Sequence, residues 1–149
     1  MLTINRILVP TDFGDCSTPA LRLAVDLAQK LGAELILLHV VQDIVLSMPD
    51  AVMPTPVSVP DLAQMIAAGR TGLTNLIARE NLAPLNPRIE VRVGSPVAEI
   101  VAAASELKAD LLCVGTHGRT GLAHLLLGSQ AERIIREAPC PVLTVKPPH

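Results

Sequence analysis

The stretch Gly115-Thr116-His117-Gly118-Arg119-Thr120-Gly121, then Leu122 to Leu127, then Gly128-Ser129, gathers the residue types in this chain best suited to hold an anion. Four glycines fall between Gly115 and Gly128. Without a Cβ, a glycine lets backbone amides approach a phosphate closely and adopt positive φ. Ser129-Gln130-Ala131-Glu132 has the pattern of a capping box, which would start a helix at Ser129. The free amides and dipole of that helix would then face the same place. Each hydrogen bond to a charged group contributes about 1.5–3 kcal/mol, so a few such amides suffice for a polyphosphate. No Lys lies in the segment, which excludes a Walker A loop. His117 and Arg119 are the candidate cations, with solvated loop residues as the alternative reading. Glycines serving only as turns are the competing account, and their density at a strand–helix junction argues against it.

Asp12 follows an apolar strand and belongs at the same edge of a sheet, where it could bond a ribose hydroxyl or a base amine. A turn-forming Asp is the plain alternative. Val40 and Val41 end a second strand and could offer backbone groups and apolar area to a base, although taken alone they read as core. His39 reads as a hydrogen-bonded core histidine, and His124 receives no role.

These residues need elements to position them. Ile7-Leu8-Val9 is a wholly apolar strand ending at Pro10, followed by a polar turn over Thr11 to Ser17. A helix runs from there to about Leu31, with Leu21, Ala24, Ala28 and Leu31 on its apolar face. Ser17 or Thr18 can cap it, Pro19 suits its first turn, and Gly32 is its expected stop. Glu34 to Val41 is a second strand, completing a βαβ unit. The segment from Gln42 to Pro60 carries Pro49, Pro54, Pro56 and Pro60 and is expected to be a lid or a disordered stretch. A helix is expected from about Asp61 to Glu80. Ile89-Glu90-Val91-Arg92-Val93 alternates apolar and polar, as a strand buried on one side at a sheet edge would. Ser95-Pro96 opens a helix whose apolar face is Val97, Ile100, Val101, Ala104 and Leu107. Leu111 to Val114 is a wholly apolar, interior strand ending at Gly115. A helix from Ser129 to Glu137 and a strand from Val142 to Val145 complete five strands alternating with four helices. That is an open, doubly wound α/β sheet. In such sheets ligands bind beyond the carboxyl ends of the strands, where the strand order reverses.

With 149 residues, no internal repeat and no linker, residues 1–149 are expected to form one domain. Half the residues are hydrophobic, yet there is one Phe and no Trp or Tyr, so the core must be aliphatic. The formal net charge is -2 and no stretch is strongly basic, which leaves a nucleic-acid role without support. Neither a signal-peptide stretch nor an apolar run of membrane-spanning length is present in the sequence. The three cysteines, Cys16, Cys113 and Cys140, have no metal-like spacing, and Cys113 reads as a small core residue. A reduced, cytoplasmic setting is expected, with no membrane partner.

The spacing Gly115-x2-Gly118-x9-Gly128-Ser129 resembles the nucleotide-binding motif of the universal stress protein family. The opening Ile7-Leu8-Val9-Pro10-Thr11-Asp12-Phe13, the run Ala33 to Val40, and the ending Pro139-Cys140-Pro141-Val142-Leu143-Thr144-Val145 are similar to that family too. The likeness covers nearly the whole chain and points to the ATP-binding class. It implies strand order 3-2-1-4-5, with adenine and ribose near Pro10, Thr11, Asp12 and Val40 or Val41. The phosphates of ATP, ADP or AMP, with Mg, would lie on Gly115, Gly118, Gly128, Ser129 and Gln130. It implies a stress-response role, often without a known reaction, and a homodimer. In that order the fifth strand is an edge, and Val142-Leu143-Thr144-Val145 carries no charge, so pairing with a second copy is expected there. Slow ATP hydrolysis and an interaction protein with an empty pocket are the alternatives. A phosphorelay receiver domain is excluded because the third strand ends Val93-Gly94-Ser95, without a phosphoacceptor Asp.

Overall fold

Residues 1–42, 61–116 and 127–148 are described by a computed structural model. Five parallel strands, β1 (Arg6–Pro10), β2 (Glu34–Val41), β3 (Arg88–Val93), β4 (Leu111–Gly115) and β5 (Val142–Val145), form one sheet in the order β3-β2-β1-β4-β5. Four helices connect them: α1 (Thr18–Leu31), α2 (Leu62–Arg79), α3 (Pro96–Glu106) and α4 (Ser129–Glu137). This is the expected α/β architecture and strand order.

The apolar strands acquire their meaning from the two covered faces. Successive side chains of a strand point to opposite sides. Ile7, Val9, Leu35, Leu37 and Cys113 therefore pack with Leu21 and Ala24 of α1 and Leu73 of α2. Leu8, Ile36, Leu38, Leu112 and Val114 pack on the other side with Ile100 and Ala104 of α3 and Ile134 of α4. Burying each such side chain contributes about 1.5–3 kcal/mol, so the interior strands dominate stability. Strand β3 is an edge, as its alternation requires. Ile89 and Val91 face the α1–α2 side, while Arg92 bonds Glu106 of α3 at 2.7 Å. That hydrogen bond holds the Glu106 carboxyl below its ordinary range.

Three local expectations are corrected. Leu31 is 50% exposed instead of completing the apolar stripe of α1. It is the last helical residue before Gly32 turns the chain at φ 65, and Ala33 beyond the turn joins the core instead. Neither Ser17 nor Thr18 caps α1 with its side chain: the Ser17 hydroxyl donates to the Gly14 carbonyl at 2.8 Å and lies 3.2 Å from Thr11 Oγ1. The capping box at α4 does not form either. Gly128 takes the cap position, Ser129 is already helical, and Glu132 pairs with Arg136 at 2.6 Å. A box needs its hydroxyl on the non-helical residue, and the chain enters the helix one position too early for that.

Candidate functional site

The corner after β1 is closed on itself by its own polar groups. The Thr11 amide donates to the Leu38 carbonyl at 2.8 Å, carrying the β1–β2 ladder one residue past the strand. Thr11 Oγ1 accepts from the Phe13 amide at 3.0 Å, and Asp12 Oδ1 accepts from the Gly14 amide at 2.8 Å. Phe13 sits at φ 64, a left-handed conformation uncommon for a residue with a Cβ. The turn reading of Asp12 is thus realised, and the residue also lines a cleft.

That cleft, about 1040 Å³, opens at the carboxyl ends of the strands. Every nominated site residue that falls among the described residues lines it. Pro10, Thr11 and Asp12 come from the end of β1, Val40 and Val41 from the end of β2, and Gly115 from the end of β4. Gly128, Ser129 and Gln130 come from the start of α4. His117, Gly118 and Arg119 lie outside the described residues, as does the remainder of the Gln42–Pro60 segment beyond Gln42. The two flanks of the glycine segment are tied together, since the Gly128 amide donates to the Thr116 carbonyl at 2.8 Å. The Thr116 amide in turn donates to the Val145 carbonyl at 3.2 Å, anchoring this base to the sheet.

The electrostatics of the wall follow from its composition. Among the described lining residues Asp12 is the one carboxylate, and none is Lys or Arg. An anion held here depends on backbone N–H groups and on the start of α4, whose first amides have no carbonyl to bond within the helix. The apolar part of the wall, including Val40, Val41 and Ile100, suits the faces of a flat ring. Among the described residues no group of His, Cys, Asp and Glu could hold a metal ion on its own.

His39 is hydrogen-bonded, as expected, through Nδ1 to the Thr11 carbonyl at 2.9 Å. It stands on the cleft wall, half-buried, instead of in the core. Sequence reasoning passed over Phe13 and the α2 residues Met65, Gly69 and Gly72, which also line the cleft. The signal was available: Phe13 is the chain's single aromatic residue and adjoins Asp12, and the two glycines stand three apart on one helix face.

A parallel sheet of this order, with a cleft at the point where β1 and β4 diverge in direction of winding, is the kind of α/β protein that takes small ligands at its strand ends. More particularly, the chain belongs to the universal stress protein family: the model of that family matches residues 3–146. Universal stress protein MJ0531 of Methanocaldococcus jannaschii is 36% identical over 145 residues, covering 97% of this chain and 83% of that protein. YxiE of Bacillus subtilis is 32% identical over 148 residues, covering 95% and 99%. Among solved structures, UspA of Lactobacillus plantarum superposes with a TM-score of 0.73 at 26% identity, over 95% of this chain and 97% of that one. A universal stress protein solved in complex with cAMP superposes with a TM-score of 0.65 at 25% identity, over 96% and 97%. No described helix is long and apolar enough to cross a membrane.

Proposed function

We propose that this chain is an adenine-nucleotide-binding module of the ATP-binding class of universal stress proteins, a single domain acting in a cytoplasmic stress response. The observation that carries the reading is the convergence of Pro10, Thr11, Val41, Gly115, Gly128 and Ser129 on one cleft at the strand ends. The structural likeness to a family member in complex with cAMP supports an adenine-containing ligand. In this reading Thr11, Asp12, Val40 and Val41 hold adenine and ribose. Gly115, Gly128, Ser129 and Gln130 hold phosphates with backbone amides, together with His117, Gly118 and Arg119. Mg travels on the phosphates, since among the described residues the wall offers Asp12 alone as a carboxylate and that group already accepts from Gly14. Calorimetric titration of nucleotide-free protein with Mg-ATP tests the reading, and no heat of binding at millimolar ligand overturns it.

Hydrolysis in this site is slow or absent. Fast turnover needs a base beside an attacking water at the γ-phosphate, and the stretch from Gly115 to Ser129 contains no carboxylate. A coupled assay should read far below the ~1–100 turnovers per second of a kinase. Turnover in that range, lost on a substitution in the cleft, would assign the chain to the enzymes.

A homodimer through β5 accompanies this reading. Strand β5 lies at the sheet edge, with β4 as its neighbour, and its four residues are half-buried and uncharged. Uncovered edge amides invite strand pairing, and a two-fold axis would pair β5 with itself. Val142→Lys or Leu143→Lys should lower the mass seen by light scattering from dimer to monomer while ATP binding persists. A monomer mass for the unaltered protein at tens of micromolar rules this interface out.

A further inference from the structure

The Thr11–Asp12 corner owes its shape to residues the nucleotide reading does not use. The rings of Phe13 and His39 lie with centroids 4.4 Å apart and planes inclined at 31°. Both fit against α2 where that helix has no side chains. A Cβ on Gly72 would stand 2.6 Å from Phe13 Cζ, closer than any real contact. One on Gly69 would stand 3.1 Å from His39 Cδ2 and 3.3 Å from Val91 Cγ1. A glycine inside a helix costs about 0.5–1 kcal/mol relative to Ala, so two of them three residues apart mark a packing need. The ring so seated makes the bond that matters at the corner. A carbonyl oxygen only accepts, so His39 Nδ1 carries the proton in its 2.9 Å bond to the Thr11 carbonyl. Phe13, whose own amide donates to Thr11 Oγ1, is in turn the residue whose left-handed φ of 64 turns the chain back so that the next amide, that of Gly14, reaches Asp12 Oδ1 at 2.8 Å.

We propose that His39 and Phe13, seated in the glycine notch of α2, are the positioning residues of the nucleoside end of the cleft. His39 Nδ1–H holds the Thr11 carbonyl, the ring of Phe13 holds the left-handed turn, and Gly69 and Gly72 set the depth of both rings. The inference deepens the adenine-nucleotide reading and rests on it for its effect on binding. Its structural content, the order of the corner, does not depend on any ligand.

Three variants separate the possibilities. His39→Asn keeps a side-chain N–H close to the place of Nδ1, His39→Leu keeps bulk and removes the donor, and Gly72→Ala displaces the Phe13 ring. Amide hydrogen exchange by NMR on nucleotide-free protein reads the corner directly at Phe13 and Gly14. Protection there should fall roughly tenfold in His39→Leu, about what one lost hydrogen bond supplies, and should largely persist in His39→Asn. Protection should fall in Gly72→Ala as well, although Ala is the better helix former and a purely helical effect would leave α2 firmer. Calorimetry with Mg-ATP should follow the same order, with Kd raised roughly tenfold in His39→Leu and Gly72→Ala and about threefold or less in His39→Asn. Unchanged exchange at Phe13 and Gly14 in both His39→Leu and Gly72→Ala overturns the positioning role, as does equal loss in His39→Asn and His39→Leu. Absence of ATP binding in the unaltered protein overturns the nucleotide reading alone, since the exchange comparison still decides the corner.

Discussion

Nucleotide-free protein mixed with Mg-ATP at about a hundred times its dissociation constant should melt roughly 5–10 °C higher than without it. A ligand that binds only the folded state at that excess contributes about 2.7 kcal/mol, and for a domain of this length that free energy corresponds to the stated shift. ADP and AMP should give equal or smaller shifts, and the adenine base should matter, because the apolar side of the cleft at Val40 and Val41 offers area to a flat ring. Gly118→Val should abolish the shift. Gly118 lies outside the described residues, so the expectation comes from its spacing: it stands in the segment whose two flanks, Thr116 and Gly128, are hydrogen-bonded at the rim of the cleft. In the proposed reading, a branched side chain at that position would take the space a phosphate needs beside a glycine amide. An unchanged melting temperature in the unaltered protein, or a full shift in Gly118→Val, would contradict the assignment.

Alkaline pH should destabilise the protein chiefly through one buried thiol, with Cys140, which burial also raises, acting in the same direction. Cys113 is fully buried in β4 among Ile7, Val9, Leu35 and Leu37. Burial, with a smaller contribution from Cys140, pushes its thiol from 9.0 up to about 12. Between those values the folded chain keeps a proton that the unfolded chain has released. Its contribution is fully present below pH 9 and is lost as pH rises toward 12, with a slope of about 1.4 kcal/mol per pH unit. The chain has no Tyr, which removes the side chain that most often obscures this range. Unfolding free energies from urea titrations should therefore fall between pH 8.5 and pH 10.5 by about 2 kcal/mol more for the native sequence than for Cys113→Ala. The variant itself should start lower, since it leaves a small cavity in the core. Parallel pH dependence in the two proteins would refute the attribution.

Most elements could be read from the chain because they obey local rules. Wholly apolar runs such as Ile7 to Val9 and Leu111 to Val114 suit only strands covered on both faces, and Gly32 ends α1 as a left-handed glycine should. The edge position of β3 was equally legible, because Glu90 and Arg92 cannot enter a core while Ile89 and Val91 can. The glycine spacing from Gly115 to Ser129 was visible for a similar reason, since close backbone approach has few substitutes. What stayed out of reach was decided between elements far apart in sequence. The apparent capping box at Ser129 obeyed its pattern and still failed, because the point where the chain enters α4 places Gly128 at the cap. His39 had the look of a core residue on an apolar strand. Only the folded chain brings it to Thr11, 28 positions away, and against the bare face of α2 at Gly69. A residue's propensity and periodicity act over a turn or a strand, which is why the elements and the glycine spacing were legible in the chain. The partners of a cleft wall are chosen by how whole helices pack on the sheet, and that choice, which joins Phe13, His39 and α2 into one corner, was made by the tertiary structure alone.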